Sequence, residues 1–324
     1  MEFDIPTIAV GNLSMGGTGK TPHVEYLIRL LKQRYHVATL SRGYHRQTKG
    51  YQLANKESNA LQIGDEPMQF HRKFPDIAVS VGEERVLALP QLLMDEPATQ
   101  VVLLDDAFQH RSIRPGYNIL VTEYSNLFTR DHIVPFGGLR ESRSGYKRAD
   151  CMLVSKCPAG LSIEEKERII REIRPLTHQQ LYFTTLEYGD LYDLAGGEPA
   201  HIPAEASVLM VCGIARPGPM QSFLENRFAQ VETLKFRDHY YYTEADILQM
   251  KEMLDAMKGP HKVIVTTEKD AVRLQLRSDL IAEQGLCVYV LPMTVNFLFG
   301  EADSFNNHIF EYVEQALQLQ QNTD

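Results

Sequence analysis

The sequence predicts an α/β protein that is built on a doubly wound parallel sheet and carries a second, smaller α/β lobe. Short apolar runs alternate with helical segments through most of the chain, which is the pattern of strands joined by crossover helices. The runs are continuously apolar, as expected of parallel strands buried on both faces. The 324 residues also exceed the roughly 250–300 at which a single core stops growing, so we expect two lobes.

The first lobe is expected over residues 1–187. Its predicted strands and helices alternate in chain order, with a polar, irregular stretch after the second strand. The predicted strands are 5–10, 37–40, 77–81, 101–104, 119–122 and 151–154, and the predicted helices are 22–31, 64–74 and 83–93.

A break in this pattern follows at 188–206, where Gly, Pro, Asp and Ala are frequent and periodicity is weak. We expect this stretch to link the lobes. The smaller lobe is expected over 207–324, and its last helix is amphipathic and able to pack back on the first lobe. Its predicted strands are 208–211, 232–236, 263–266 and 288–291, and its predicted helices are 220–227, 244–257 and 305–318.

A glycine-rich loop separates the first predicted strand from the first predicted helix, and it reads Ser14-Met15-Gly16-Gly17-Thr18-Gly19-Lys20-Thr21. A strand, a glycine-rich turn and Gly-Lys-Thr opening a helix indicate a P-loop, here a variant with Ser14 at the usual first glycine. Such a loop cradles phosphate oxygens with backbone N–H groups at a helix N-terminus. We expect residues 14–21 to bind nucleotide phosphates, with Lys20 on the β- and γ-phosphates and Thr21 on Mg²⁺.

A second motif, Leu103-Leu104-Asp105-Asp106, fits a Walker B pattern, in which an apolar strand delivers a carboxylate to its C-terminal edge. Ligands bind at that edge in open α/β sheets. Asp105 or Asp106 is therefore expected to hold the Mg²⁺ that Thr21 also contacts. Gln109 and His110 follow in the same crevice, although His110 can equally be structural.

Several further candidate residues have two interpretations each. Asp65 opens a predicted helix, where it can satisfy free N–H groups or point a carboxylate at an acceptor hydroxyl. Residues 137–141 form either a surface turn or, near phosphate, a source of a cation and a carboxylate. His239 follows a strand of the smaller lobe, and periodicity gives it no role. Residues 266–270 resemble a guanine-reading element, but Asp270 follows Lys269 directly, so we infer no GTP specificity.

Composition excludes several classes of protein. Apolar residues make up 44% and charged residues 23% of the chain, as in ordinary globular proteins. The net charge of −9 argues against a general nucleic-acid binder, which would carry a basic surface. No apolar run reaches the ~18 residues of a membrane span, and no secretory signal opens the chain.

Taken in order, these stretches resemble the tetraacyldisaccharide 4′-kinase family, the lipid A 4′-kinases of Gram-negative bacteria. The resemblance runs through most of the chain, and the ordered set is far more specific than the P-loop alone. The stretches that carry it are 10–13, 16–22, 41–44, 64–67, 104–110, 138–141, 213–217, 238–240 and 266–272.

The resemblance implies transfer of the ATP γ-phosphoryl group to the 4′-hydroxyl of an acylated glucosamine disaccharide 1-phosphate. It implies that Asp65 is the catalytic base and that His239 supports it. ATP and Mg²⁺ would be served by Lys20, Thr21, Asp105, Asp106, Gln109 and Glu141. Contacts to phosphates or to the acceptor would come from Arg42, Arg85 and Arg140.

The resemblance also implies contact with the cytoplasmic face of the inner membrane. Family members usually begin with an apolar segment that embeds there, whereas this chain begins at the first strand, so we expect it to be soluble and peripheral. We also expect it to be a monomer. The main rival function is that of a P-loop ATPase switch of the partitioning type, which carries a signature Lys where this chain has Met15. The phosphate loop is also compatible with a ligase and with a regulatory nucleotide-binding protein.

Overall fold

The structure is a computed structural model that describes residues 1–321. Its strands, in chain order, are β1 (Thr7–Gly11), β2 (Val37–Ser41), β3 (Gln52–Leu53), β4 (Ala78–Val81), β5 (Val101–Asp105), β6 (Tyr117–Glu123), β7 (Cys151–Ser155), β8 (Gln180–Tyr188), β9 (Tyr192–Asp193), β10 (Ser207–Cys212), β11 (Gln230–Lys235), β12 (Lys262–Thr267), β13 (Val288–Leu291) and β14 (Met293–Phe297).

The α-helices are α1 (Lys20–Leu31), α2 (Ala60–Ile63), α3 (Asp65–Lys73), α4 (Arg85–Asp95), α5 (Ile163–Ile173), α6 (Gly218–Arg227), α7 (Glu244–Ala256), α8 (Glu268–Leu274), α9 (Ser278–Glu283) and α10 (Ala302–Gln321). Short 3₁₀ turns lie at Arg143–Arg148, Gln275–Arg277 and Leu298–Gly300. The predicted α/β alternation is confirmed.

The larger sheet has nine strands in the order β14-β8-β7-β6-β1-β5-β2-β4-β3. Neighbouring strands are parallel except at the two edges, where β14 and β3 run antiparallel to their neighbours. The chain moves to one side of β1 to form β2 and crosses to the other side after β5. The order therefore reverses at β1, and ligands bind at such a switch point, outside the C-terminal ends of the strands.

Helices cover both faces of this sheet. One apolar cluster joins Ile8 of β1 to helices α1, α3 and α10, while the next residue, Ala9, belongs to a cluster with α4 on the opposite face. Successive strand residues point to opposite faces of the sheet, so each central strand is buried on both faces. This explains the continuously apolar runs.

The smaller sheet has five strands in the order β11-β10-β12-β13-β9, with only β9 antiparallel. Residues 188–206, which were expected to be a linker, supply β9 and bury Leu191 and Ile202 in the core beneath α6. The segment lacks periodicity because its strand has only two residues. The lobe boundaries at 187 and 207 stay predictions.

Residues after β13 return to the larger sheet. β14 pairs with β8, and Phe297 and Phe305 place their rings 5.1 Å and 6.0 Å from that of Tyr26 in α1. The sequence patterns do not predict α2, α5, α8, α9, β3, β8, β9 or β14, which are short, highly charged or only partly buried. Among residues 1–321, no helix combines the length and apolar character needed to cross a bilayer.

Candidate active site

The loop between β1 and α1 has the backbone shape that its glycines allow. Gly16, Gly17 and Gly19 have φ values of 69°, 53° and 86°, in the region that favours glycine. Lys20 and Thr21 are the first two residues of α1. They therefore stand at the helix end whose N–H groups lack intrahelical partners and attract anions.

Side chains from neighbouring elements brace this loop. Asn12 donates from Nδ2 to Thr18 Oγ1 at 2.9 Å, and Ser155 at the end of β7 donates to the Thr18 carbonyl oxygen at 2.6 Å. The Lys156 ammonium group binds the carbonyl oxygen of Gly17. The loop is thus held in shape by residues at the ends of two different strands, β1 and β7.

The segment 137–141 packs against the same loop. Met15 N–H donates to the carbonyl oxygen of Gly138 at 2.6 Å, and Arg140 N–H donates back to the carbonyl oxygen of the residue before Ser14 at 2.7 Å. Between these bonds Ser14 and Leu139 form a β-bridge. Of the two interpretations of 137–141, the structure therefore favours a segment at the phosphate loop over an isolated surface turn.

Asp106 lies between two cations. Its carboxylate is 3.3 Å from Lys20 Nζ and 3.1 Å from Arg140 Nη1. Burial opposes ionisation of this carboxyl, but Lys20 and Arg140 hold its pKa below the ordinary value. Asp106 is therefore a carboxylate at neutral pH, and it connects the P-loop lysine to the 137–141 segment.

Asp105 is buried at the end of β5, where Val10 of β1 is its register partner. Within residues 1–321 its carboxylate accepts a side-chain hydrogen bond from Ser41 Oγ, which lies 3.5 Å from Oδ2. Burial, together with the neighbouring Asp106 carboxylate, raises the pKa of Asp105 to about 7. Buried Arg85 donates to the backbone oxygen of Asp105 at 3.3 Å, so it supports this strand end from beneath.

Gln109 and Glu141 form a polar network beside the loop. Gln109 donates from Nε2 to the carbonyl oxygen of Asn12 at 2.5 Å and to Glu141 Oε1 at 3.3 Å. Glu141 also accepts from Arg148 at 2.8 Å and from Arg111 at 3.0 Å. Burial opposes ionisation of Glu141, but the two arginines hold its pKa below the ordinary value.

Two other predicted residues differ in their surroundings. Arg42 is exposed after β2, and its side chain makes no hydrogen bond or ion pair with any residue in 1–321. His110 donates from Nε2 to the Glu83 carbonyl oxygen at 2.9 Å, and its Nδ1 lies 2.8 Å from Ser112 Oγ. Both ring nitrogens are thus engaged in local structure, which favours the structural interpretation of His110.

Asp65 and His239 meet between the two sheets. Asp65 is the first residue of α3 and is 1% exposed, and neither carboxylate oxygen accepts a hydrogen bond from a helix N–H within residues 1–321. Instead, Oδ2 lies 2.9 Å from His239 Nδ1. Oδ1 is buried and has no hydrogen-bond partner among the described residues. One oxygen of a buried carboxylate therefore keeps an unused capacity to accept a hydrogen bond.

Lys269 contacts the other side of the His239 ring. Its Nζ is 3.0 Å from His239 Nε2 and 3.2 Å from Glu66. Burial alone would lower the pKa of Lys269, but the carboxylates of Glu66 and Asp238 raise it above the ordinary value. An ammonium group can only donate, so Nε2 accepts from Lys269 and the proton of a neutral ring lies on Nδ1, facing Asp65.

Arg273 lies beneath this pair and is fully buried. It forms an ion pair with buried Asp270 at 2.6 Å, and its Nε is 3.7 Å from Asp65 Oδ2. Its Nη1 donates to the carbonyl oxygen of Tyr240 at 3.0 Å, the residue after His239. Arg273 therefore holds the histidine loop and places a positive charge near Asp65.

The family model for LpxK, tetraacyldisaccharide-1-P 4′-kinase, matches residues 1–314. The chain belongs to this family. The resemblance carried by the ordered motifs is thus confirmed, and the family is one of kinases and not of partitioning switches.

Relatives named tetraacyldisaccharide 4′-kinase align over nearly the whole chain. The one from Bacteroides thetaiotaomicron is 45% identical over 97% of this chain and 86% of its own length. The one from Flavobacterium johnsoniae is 42% identical over 98% of this chain and 90% of its own length. The one from Porphyromonas gingivalis is 38% identical over 97% and 89%.

A solved structure has the same fold. It is described as an "apo" form of LpxK from Aquifex aeolicus in complex with ATP, and it matches with a TM-score of 0.73 and 27% identity. The match covers 97% of this chain and 90% of that one. This similarity confirms the P-loop α/β fold class of the tetraacyldisaccharide 4′-kinases.

Two residues of this kinase's site, Lys269 and Arg273, were missed by sequence reasoning. The signal available was their position just after β12, because side chains at the C-terminal ends of parallel strands face the cleft. The charged stretch there was noted for its lack of guanine specificity and as part of the family resemblance, but neither residue was given a role. Its partners Asp65 and His239 lie far away in the sequence, so no local pattern connected them.

Proposed function

We propose that this chain transfers the γ-phosphoryl group of ATP to the 4′-hydroxyl of a tetraacylated glucosamine disaccharide 1-phosphate, a step of lipid A biosynthesis. The observation that carries the mechanism is the buried Asp65 carboxylate, which His239 holds at one oxygen and whose other oxygen has no hydrogen-bond partner within residues 1–321. A switch ATPase has no need of a base positioned for an alcohol.

The donor side of the site is the phosphate loop. The backbone N–H groups of residues 16–19 cradle the phosphates, since that of Met15 is bonded to Gly138, and Lys20 moves from Asp106 to the β- and γ-phosphates when ATP binds. The exchange is feasible because Lys20 is only partly exposed and lies 3.3 Å from Asp106. Gln109 fixes the loop at Asn12 and stays beside the nucleotide.

The residues present fit Mg²⁺. A hydroxyl and two carboxylates are the hard oxygen donors that this ion prefers, and it usually takes one or two carboxylates together with phosphate oxygens. Asp105 is a buried carboxyl with only a 3.5 Å hydroxyl contact, so it has free acceptor capacity. Thr21, Asp105 and Asp106 would hold the ion, which would neutralise triphosphate charge. Glu141 would join only after releasing Arg111 or Arg148.

The acceptor side is the Asp65 group. Once the acceptor site opens far enough to expose it, Oδ1 of Asp65 accepts the proton of the 4′-hydroxyl, and the hydroxyl oxygen attacks the γ-phosphorus in line. His239 donates to Oδ2 and so orients the carboxylate. Lys269 fixes the proton on His239 Nδ1, and Arg273 holds the loop that carries the ring; both are positioning residues.

The three candidate arginines have different roles in this proposal. Arg42 is exposed and unpaired within the described residues, so it is available to an anionic group of the acceptor. Arg140 pairs with Asp106 at 3.1 Å and stands beside the phosphate loop. Arg85 is buried, donates to backbone oxygens and supports the strand end at Asp105.

The chain acts as a monomer, since one chain supplies both Asp65 and His239. It acts at the cytoplasmic face of the inner membrane.

The test is transfer of labelled γ-phosphate to the lipid disaccharide in detergent. We expect label in the lipid with wild type and a fall in kcat of about 10²–10³-fold in Lys20→Ala, as for the loss of one electrostatic donor. The matched control is Lys32→Ala, at the other end of α1, where Lys32 pairs with exposed Asp76 at 2.9 Å. Release of label only as inorganic phosphate would instead support an ATPase switch.

A further inference from the structure

An exposed apolar tip lies in the loop that follows β6. Ile133, Val134 and Phe136 are 47%, 47% and 89% exposed. Single exposed apolar residues are common on protein surfaces, but contiguous ones mark interaction sites. These three residues lie within a stretch of four, which we call the apolar tip (residues 133–136). The tip therefore indicates an interaction site.

The tip is held outward by an ordered base. Asp131 Oδ1 accepts from Gly138 N–H at 2.9 Å, Leu139 N–H donates to the carbonyl oxygen of His132 at 2.9 Å, and Val134 N–H donates to that of Leu139 at 3.0 Å. Leu139 itself is fully buried. The apolar side chains are thus displayed by a closed, hydrogen-bonded loop with a buried anchor.

The same base belongs to the active site. Gly138 binds Met15 of the phosphate loop, and Met15 is 64% exposed, so it extends the apolar surface. Arg140 reaches Asp106. Phe136 is two residues from Gly138, so its Cα lies within about 7–8 Å of it. The tip therefore stands next to the site where phosphoryl transfer is proposed.

The surrounding segment is basic although the chain is acidic. Residues 130–148 contain five Lys and Arg and two Asp and Glu, in a chain with a net charge of −9. Arg143 is exposed, and its Nε donates to the carbonyl oxygen of Asp131 at 2.8 Å, at the base of the tip. Apolar side chains flanked by basic residues complement an anionic lipid surface.

We propose that the apolar tip inserts into the interface of an anionic bilayer and holds the active site at the membrane surface. This rests on the proposed function, because the acyl chains of such a substrate stay in the bilayer. The polar region of one leaflet is only about 5–8 Å thick. A sugar hydroxyl can therefore reach Asp65 only when the site lies close to the surface. A small apolar tip gives weak, reversible binding, which allows turnover.

The experiment is co-sedimentation with vesicles of phosphatidylethanolamine and phosphatidylglycerol. We compare wild type with the double variant Ile133→Ser/Phe136→Ser and with Met94→Ser, whose side chain is 74% exposed at the end of α4. We expect binding of the double variant to weaken at least about tenfold, since burial of one large apolar side chain changes an equilibrium constant by that much or more. Met94→Ser should bind like wild type.

Binding should also weaken when phosphatidylglycerol is omitted or salt is raised, because exposed charges are screened. The proposal is overturned if wild type does not bind these vesicles, or if the double variant binds them as wild type does. It is also overturned if wild type is a dimer in solution and the double variant a monomer, since the tip would then contact a second copy.

The two proposals fail separately. In detergent micelles the double variant should phosphorylate the lipid disaccharide at the wild-type rate, and on vesicle-embedded substrate it should be slower by the factor lost in binding. Absence of transfer in micelles by wild type would refute the proposed function, whatever the vesicles show. Equal melting temperatures of the variants and wild type show that folding is intact.

Discussion

Replacing Lys269 by Met tests whether this residue fixes the proton on His239. Methionine keeps a long, flexible side chain but removes the charge and the donors. In wild type, Nζ lies 3.0 Å from His239 Nε2, and His239 Nδ1 lies 2.9 Å from Asp65 Oδ2. Without the ammonium group, Nε2 can carry the ring proton, and Nδ1 then meets the carboxylate as a second acceptor.

The magnitude follows from the lost bond. A hydrogen bond to a charged group contributes about 1.5–3 kcal/mol, and each 1.4 kcal/mol is about tenfold in rate. We therefore expect Lys269→Met to lower kcat by about 10–100-fold, which is less than the loss of the base itself. The KM for ATP should change by no more than about twofold, because Lys269 makes no contact with the phosphate loop.

The assay is the initial rate on detergent-dispersed lipid disaccharide, combined with ¹⁵N NMR of the His239 ring. Wild type should show a single tautomer with the proton on Nδ1, and Lys269→Met a shift toward Nε2. Lys269→Arg should recover part of the rate. The control is Lys251→Met, which breaks an exposed pair with Asp255 at 2.6 Å on α7.

The reasoning is refuted if Lys269→Met keeps a kcat within about twofold of wild type or leaves the ring tautomer unchanged. A lower melting temperature with an unchanged tautomer would show that Lys269 only joins α3 and α8. The NMR signal thus separates positioning of His239 from support of the fold.

Three further predictions concern the contact between α3 and α8, where Asp65, Glu268 and Arg273 lie. Asp65→Asn keeps the shape but removes the base, so kcat should fall about 10²–10⁴-fold in the labelled-phosphate assay; near-wild-type turnover would contradict the assignment. Arg273→Met leaves buried Asp270 without its cation and should lower the free energy of unfolding by about 3–5 kcal/mol, measured by urea titration; a loss under about 1 kcal/mol would contradict a strong buried pair. Burial, with the Glu25 carboxylate nearby, raises the pKa of Glu268 from 4.5 to about 7. The protonated Glu268 side chain therefore adds its full share to the free energy of unfolding below pH 4.5, and this share is lost as pH rises through about 7. Between about pH 5 and pH 8 wild type should lose more unfolding free energy than Glu268→Gln, and equal losses would show that Glu268 is not the group responsible.

The nucleotide side of the site could be predicted because its residues are local in sequence. The strand, the glycine turn and the helix of the phosphate loop occupy adjacent positions, and Asp105 ends a recognisable strand. Backbone sterics and helix-terminus electrostatics act over a few residues, so a short motif contains the information. The phosphate loop and Asp105 lie close together because β1 pairs with β5.

The acceptor side could not be predicted from local patterns. Asp65 and His239 are separated by 174 positions in the chain, and each had an ordinary interpretation by itself. The family resemblance implied their pairing, but Lys269 and Arg273 emerged only from the structure. Their roles depend on distances across the cleft and on burial, which no sequence window contains.

By itself, the sequence determined the alternation of strands and helices, the phosphate loop and the carboxylates that end the neighbouring strand, because these depend on local backbone geometry and hydrophobic periodicity. Only the tertiary structure decided that β14 and α10 return to the larger sheet and that one oxygen of Asp65 has no hydrogen-bond partner within residues 1–321. It alone placed the apolar tip beside the phosphate loop. Those features depend on which distant segments pack together, and packing is a property of the whole fold.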